Sequence, residues 1–252
     1  MELGLENKVA LVTGTGSRKG FGRGIALILA KQGCDIVAND VDLDGAQKTA
    51  AEVEALGRKA MAIKADVTKN AEVKAMVKQS LDKFGKIDIL VNNAGQATRP
   101  TPFVETPEAN WEKVINLNIY GVFYCTQAVL PQMLERKSGK IINITSGAGI
   151  SGMPRCVHYG ASKAAIIAFT QGLSKEVISA GINVNAVAPG VGDTNFMQAG
   201  GFPPGEIDRA VATVPSGRAT TPEDVGNMVA YLASDMAEQI MGQTFLVDGG
   251  HG

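Results

Sequence analysis

Tyr159-Gly-Ala-Ser-Lys163 sets a phenol and an ammonium four residues apart. On a helix both side chains would share one face, because positions i and i+4 are surface neighbours. A nearby cation favours phenolate, so the tyrosine pKa is expected to fall towards working pH, as suits a general acid/base. Taken alone, that spacing also describes an ordinary surface pair. Ser146, thirteen residues before Tyr159, ends a β-branched run and presents a hydroxyl at the same edge. A second constellation lies near the N-terminus, where an apolar run leads straight into Thr13-Gly14-Thr-Gly16-Ser17-Arg18-Lys19-Gly20-Phe21-Gly22. Glycines there permit a tight turn and let backbone amides approach a diphosphate at the positive end of a helix dipole. Asp40 follows the next β-branched run. A carboxylate there can accept both adenosine ribose hydroxyls and repels a 2′-phosphate, which predicts NAD as cofactor rather than NADP. Arg18 and Lys19 are cations that could instead meet such a phosphate. The plainer readings are an empty glycine-rich turn and a strand-end cap.

These groups need elements to hold them. Short β-branched runs occur at 8–13, 35–39, 60–65, 87–92, 140–145, 182–188 and 244–247. Between the first six lie Ala-rich stretches of helical spacing at 24–32, 44–56, 71–84, 111–136 and 162–179. Gly33, Gly57, Gly85 and Gly181 each follow a helical stretch, where a left-handed residue is wanted. The alternation predicts an α/β fold, a parallel sheet of about seven strands with helices on both faces. No composition break marks a linker, so 1–252 is expected to be one domain. Residues 191–215, rich in Gly and Pro, escape the alternation and are expected to form a mobile flap over a site.

Composition removes several classes. The 252 residues are 45% hydrophobic but only 5% aromatic, which suits stacked helices and parallel strands better than an aromatic-rich sandwich. A net charge of −1 with mixed signs leaves no footprint for nucleic acid or an anionic membrane. Cys34, Cys125 and Cys156 are odd in number and scattered, so they are read as reduced thiols of a cytoplasmic protein. His158 and His251 form no HExxH pair, and no metal is expected. No signal-peptide pattern and no membrane-length apolar run is present.

With these motifs in this order, the sequence resembles the short-chain dehydrogenase/reductase family, in its compact branch of 3-oxoacyl reductase-like chains. The resemblance runs from the glycine loop to Val247-Asp248-Gly249-Gly250. It includes Asp66-Val67, Asn92-Asn93-Ala94-Gly95, Asn118, Ser146, Tyr159, Lys163, and Pro189-Gly190 followed by Thr194. It implies a single-domain, Rossmann-type, doubly wound sheet. It implies a hydride moved between a nicotinamide cofactor and a secondary alcohol or its ketone, with a 3-hydroxyacyl or other bulky hydroxy substrate favoured. Tyr159 would then be the general acid/base, and Ser146 would hold the reacting oxygen. Lys163 would lower the tyrosine pKa and bind the nicotinamide ribose, while Asn118 would position a water linking Lys163 to solvent. Asp66 and Val67 would lie near adenine and Thr194 at the carboxamide, with Gly14, Gly16, Ser17, Gly20, Phe21, Gly22, Asp40, Asn93, Ala94, Gly95, Pro189 and Gly190 completing the cofactor set.

Two departures from the family pattern stand out. Five residues, rather than three, separate Thr13-Gly14 from Gly20-x-Gly22. Either the loop carries two extra residues or Gly16 serves as the first glycine of the pattern. Gly192 also stands where the family usually has a branched apolar residue beneath the nicotinamide, which is expected to loosen that wall. Substrate specificity is expected from 147–158 and from the flap, where Met153, Phe196, Met197 and Phe202 offer apolar surface. Arg155 and His158 have two readings: a solvated loop residue and a hydrogen-bonding strut, or a pocket mouth that grips an anionic part of the substrate. The competing function is a catalytically silent nucleotide-binding chain that supports a partner subunit. Helices 111–136 and 162–179 carry more apolar positions than one sheet face needs, and similar family members pair through them, so a homotetramer is expected.

Overall fold

The seven β-branched runs become β1 (Val9–Thr13), β2 (Asp35–Asp40), β3 (Ala60–Lys64), β4 (Ile89–Asn92), β5 (Gly139–Ile144), β6 (Ile182–Pro189) and β7 (Thr244–Val247). In the computed structural model, which describes residues 3–251, they pair in the order β3-β2-β1-β4-β5-β6-β7. Every pairing is parallel; Leu11 stands between Val37 and Leu90. The strand order reverses between β1 and β4, and at such a reversal the connections part and leave a crevice at the carboxyl edge. The expected doubly wound sheet is present.

Among the described residues the helices are α1 (Phe21–Lys31), α2 (Leu43–Ala55), α3 (Asn70–Phe84), α4 (Glu108–Ile115), α5 (Gly121–Arg136), α6 (Ala148–Ser151), α7 (Val157–Val177), α8 (Phe196–Ala199), α9 (Glu206–Val211) and α10 (Pro222–Ala233). Successive strand residues point to opposite faces, and the two core layers follow that rule. Ala10 and Val12 pack with Ile25, Leu29, Val53, Val225 and Val229 of α1, α2 and α10. Val9 and Leu11 pack with Val73, Met76, Val129, Met133 and Val177 of α3, α5 and α7. Gly33, Gly57, Gly85 and Gly181 all take the positive φ that their positions after helices called for.

The structure departs from the sequence reading at four places. The stretch 111–136 is not one regular helix: a π-helical turn at Asn116–Tyr120 joins α4 to α5. α7 begins at Val157, five residues before the periodic stretch read from sequence, so Tyr159 falls in its first turn. The segment 191–215 is not structureless, since it contains α8 and α9. α10 was not anticipated at all. Its start signal is nevertheless explicit, because Thr221 and Asp224 form a reciprocal capping box around Pro222. The three cysteines are free and buried.

Candidate active site

A cleft of about 960 Å³ opens at the carboxyl ends of β1, β2, β4, β5 and β6. Gly14, Ser17, Gly20 and Phe21 line it from the first turn, and Asp40, Asp66, Val67, Asn93, Ala94, Gly95, Pro189, Gly190 and Thr194 from later ones. Gly14 has φ +73°, and a Cβ on it would lie 2.8 Å from Asn93 Nδ2. The Asn93 side chain ties the ends of β4 and β1 together, with Nδ2 donating to Thr13 O at 2.8 Å and Gly14 O at 3.1 Å. α1 begins without a side-chain cap, which leaves its first N–H groups for an anion to satisfy.

Gly16 and Gly22 were assigned to the cofactor, but neither lines the cleft. The Gly16 amide donates to Asp40 Oδ2 at 2.7 Å and so positions the acid. Thr15 N and Oγ1 both donate to Asn39 O, and Thr49 Oγ1 donates back to Thr15 O at 2.8 Å. The longer loop is therefore folded onto β2 at Thr15-Gly16, and Gly14 is the turn glycine. Gly22 serves packing, since a Cβ there would lie 2.1 Å from Gly14 O. Asp40 Oδ1 accepts from the Asp42 amide at 3.0 Å, which completes a carboxylate held at the cleft wall by two backbone donors. Arg18 and Lys19 are exposed and lie outside the lining. This cradle, an uncapped helix start and a fixed carboxylate at the second strand fit a dinucleotide.

Ser146, Tyr159 and Lys163 meet further along the same cleft. Lys163 is 5% exposed; its Nζ donates to Ile144 O at 2.9 Å and lies 5.9 Å from the centre of the Tyr159 ring. Ser146 shares a side-chain hydrogen bond with Tyr159 that favours the phenolate, yet burial dominates and pushes the phenol up to about 12. The expected fall in the tyrosine pKa is therefore not what this arrangement produces. Burial also brings Lys163 down to about 8, which weakens the cation meant to stabilise phenolate. Burial thus favours the neutral phenol, the form that can donate a proton.

Asn118 sits in the π-helical turn, buried and behind the cleft wall. Its Oδ1 accepts from Gln96 N at 2.9 Å, and its Nδ2 donates to Gln96 O at 2.9 Å and Ser162 Oγ at 3.0 Å. It clamps the segment after β4 to α7. A regular helix would carry this side chain elsewhere, because a π turn inserts a residue into the ladder.

On its other side Tyr159 faces an apolar chamber. Its ring lies 5.6 Å from that of Phe196 on α8. Ala97, Val114 and Cys156 pack around it, with Met153, Phe196 and Phe202 partly buried against them. Met197 also lines the cleft. His158 is the strut of the plainer reading: its Nε2 pairs with Thr98 Oγ1 at 2.8 Å, and burial lowers its pKa. Arg155 is exposed, with a left-handed φ of 65°, and neither it nor His158 lines the cleft. The lining also includes Val41, Gln96, Ala97, Asp248 and His251, which the sequence reading missed. Val41 directly follows Asp40, a usable local signal; His251 arrives only through tertiary folding, held by Thr213 at 2.9 Å.

The family model described as enoyl-(acyl carrier protein) reductase matches residues 14–251. The chain is similar to the 3-oxoacyl-[acyl-carrier-protein] reductase of Staphylococcus epidermidis, at 42% identity over 97% of this chain and 98% of the relative. It is 39% identical to a Thauera aromatica protein, a subunit of (2S)-[(R)-hydroxy(phenyl)methyl]succinyl-CoA dehydrogenase, over 98% of each chain. The crystal structure of a Brucella melitensis 3-ketoacyl-(acyl-carrier-protein) reductase complexed with NADH superposes with a TM-score of 0.91. It is 35% identical, and the match covers 98% of this chain and 99% of that one.

Proposed function

The chain belongs to the short-chain dehydrogenase/reductase family, and from that premise we propose that it interconverts a 3-hydroxyacyl thioester and its 3-oxo form with NAD as cofactor. The observation that carries the reading is Tyr159, buried in the cleft, hydrogen-bonded to Ser146 and backed by Lys163. When bound, the nicotinamide supplies or accepts the hydride. In reduction Tyr159 donates its proton to the carbonyl oxygen, which Ser146 also holds as charge develops. Lys163, fixed by Ile144 O, supplies the local positive charge while protonated and a donor to the cofactor ribose. The apolar chamber at Phe196, Met153 and Phe202 suits the acyl part of the substrate. The relatives' named substrates support a thioester, one on an acyl carrier protein and one on coenzyme A.

The preference for NAD rests on Asp40, whose carboxylate lines the cleft while Arg18 and Lys19 stand outside it. We read residues 1–252 as one domain whose flap, 191–215, covers the substrate. Homotetramer formation is supported by the exposed apolar side chains of Tyr120, Phe123 and Leu134 on the stretch 111–136. No helix among the described residues is long and apolar enough to cross a membrane, and three buried free thiols support the cytoplasm as its compartment.

The test is turnover of 3-oxobutanoyl and longer thioesters with NADH and with NADPH. We expect turnover, with NADH favoured by about tenfold or more, as repulsion between the half-buried Asp40 carboxylate and a 2′-phosphate implies. NADH binding by fluorescence without turnover of any thioester or simple ketone would overturn the reading and leave the silent subunit.

A further inference from the structure

The gap expected beneath Gly192 is filled. An ideal Cβ on Gly192 would lie 2.6 Å from Cζ of Phe21 and 3.2 Å from its Cε2, so the phenyl ring occupies the place of a side chain at 192. Gly192 is not among the glycines with positive φ, so its backbone accepts alanine, and the nearest obstacle is that ring. Phe21 opens α1 at the cofactor end of the cleft and also packs against the core layer beneath.

From this contact a short packed path leads to the catalytic tyrosine. Gly192 forms a parallel bridge with Thr220, and Thr220 N donates to Val191 O at 2.7 Å, which roots the flap. Thr194 N donates back to Gly192 O at 2.9 Å, and Thr194 Oγ1 accepts from Phe196 N at 3.2 Å at the start of α8. Phe196 then lies against the Tyr159 ring. A shift of the flap root is thus carried over four residues to the wall of the substrate chamber.

We propose that Phe21 is a positioning residue: its ring seats the flap root at Gly192 and thereby sets the place of Phe196 against Tyr159. The pair is complementary, a large residue at 21 requiring none at 192. The effect on catalysis rests on the substrate reading above, whereas the seat itself does not.

The test uses Gly192→Ala, Phe21→Val and the double variant. Trypsin cleavage after Arg209, whose side chain is 75% exposed in the flap, reports the seat in cofactor-free protein. Gly192→Ala should speed that cleavage about tenfold and lower kcat/KM for the ketone by about tenfold to a hundredfold, the upper figure being that of a displacement of about an ångström. Adding Phe21→Val makes room, and the double variant should return the cleavage rate to within about threefold of the parent, a coupling that independent sites would not give. Phe21→Val alone leaves a void under the root and should also speed cleavage, which serves if Gly192→Ala does not fold. Parent-like cleavage in both single variants, or a double variant no better than Gly192→Ala, overturns the proposal. Rescue of proteolysis in a protein that turns over no ketone keeps the seat and overturns the substrate reading instead.

Discussion

Lys163→Met should abolish turnover and yet stabilise the cofactor-free protein at neutral pH. Lys163 is buried among groups that do not neutralise it, and burial brings its pKa from 10.5 down to about 8. That fall corresponds to about 3 kcal/mol against the buried ammonium. Removing the amine also removes its hydrogen bond to Ile144 O, a loss of about 1 kcal/mol. The net gain is about 2 kcal/mol, which for a domain of this size raises Tm by about 5 °C. The sign depends on pH. Because the folded pKa lies below the unfolded one, the lysine's contribution to stability is present above about 10.5 and is lost as pH falls through about 8. The advantage of methionine is therefore full below about pH 8 and nearly gone by about pH 9.5. Calorimetry of both proteins at pH 7.0 and 9.5 checks it. A Tm gain that is equal at the two pH values, or a less stable variant at pH 7, would refute the claim that burial sets this lysine's pKa.

Tyr159→Phe keeps the ring and removes the proton, so turnover should fall by roughly a hundredfold or more while a fluorescence titration still detects NADH. Asp40→Ala should move the ratio of kcat/KM for NAD over NADP at least about tenfold towards NADP, since the repelling carboxylate is gone; an unchanged ratio would return Asp40 to a structural role. With the phenol pushed up to about 12 and Lys163 still protonated below about 8, reduction should be flat between about pH 5 and 7, whereas alcohol oxidation, which needs phenolate, should rise about tenfold per pH unit over that range. Flat oxidation would place the base elsewhere. Arg155→Ala should leave KM and kcat within about twofold, because this side chain is exposed and outside the lining; a raised KM for the thioester alone would restore the anion-gripping reading.

How much could be read before folding depended on whether the cause was local. All seven strands and the parallel α/β plan were legible, because β-branched runs and helical spacing act over a few residues. So were the helix-ending glycines, each answering a backbone need at one position. Asp40, Ser146, Tyr159 and Lys163 were legible as chemistry and as a spacing, and the carboxyl edge of a parallel sheet brings them to one cleft. The capping box at Thr221 is a local signal of the same kind.

What only tertiary structure decided concerns contacts between distant segments. Whether Gly16 touches a phosphate or an acid depends on how β2 lies beside the loop, and Asp40 arrives from 24 positions away. Asn118, carried on the π turn, finds its partners at Gln96 and Ser162, 22 and 44 positions away. The tyrosine pKa was the clearest case. Sequence spacing supplied a cation at Lys163, but desolvation in the chamber closed by Phe196, Ala97 and Cys156 raises the pKa, and the lowering influence is the Ser146 hydrogen bond. Desolvation is a property of everything around a group, so no motif of four residues could have carried its sign.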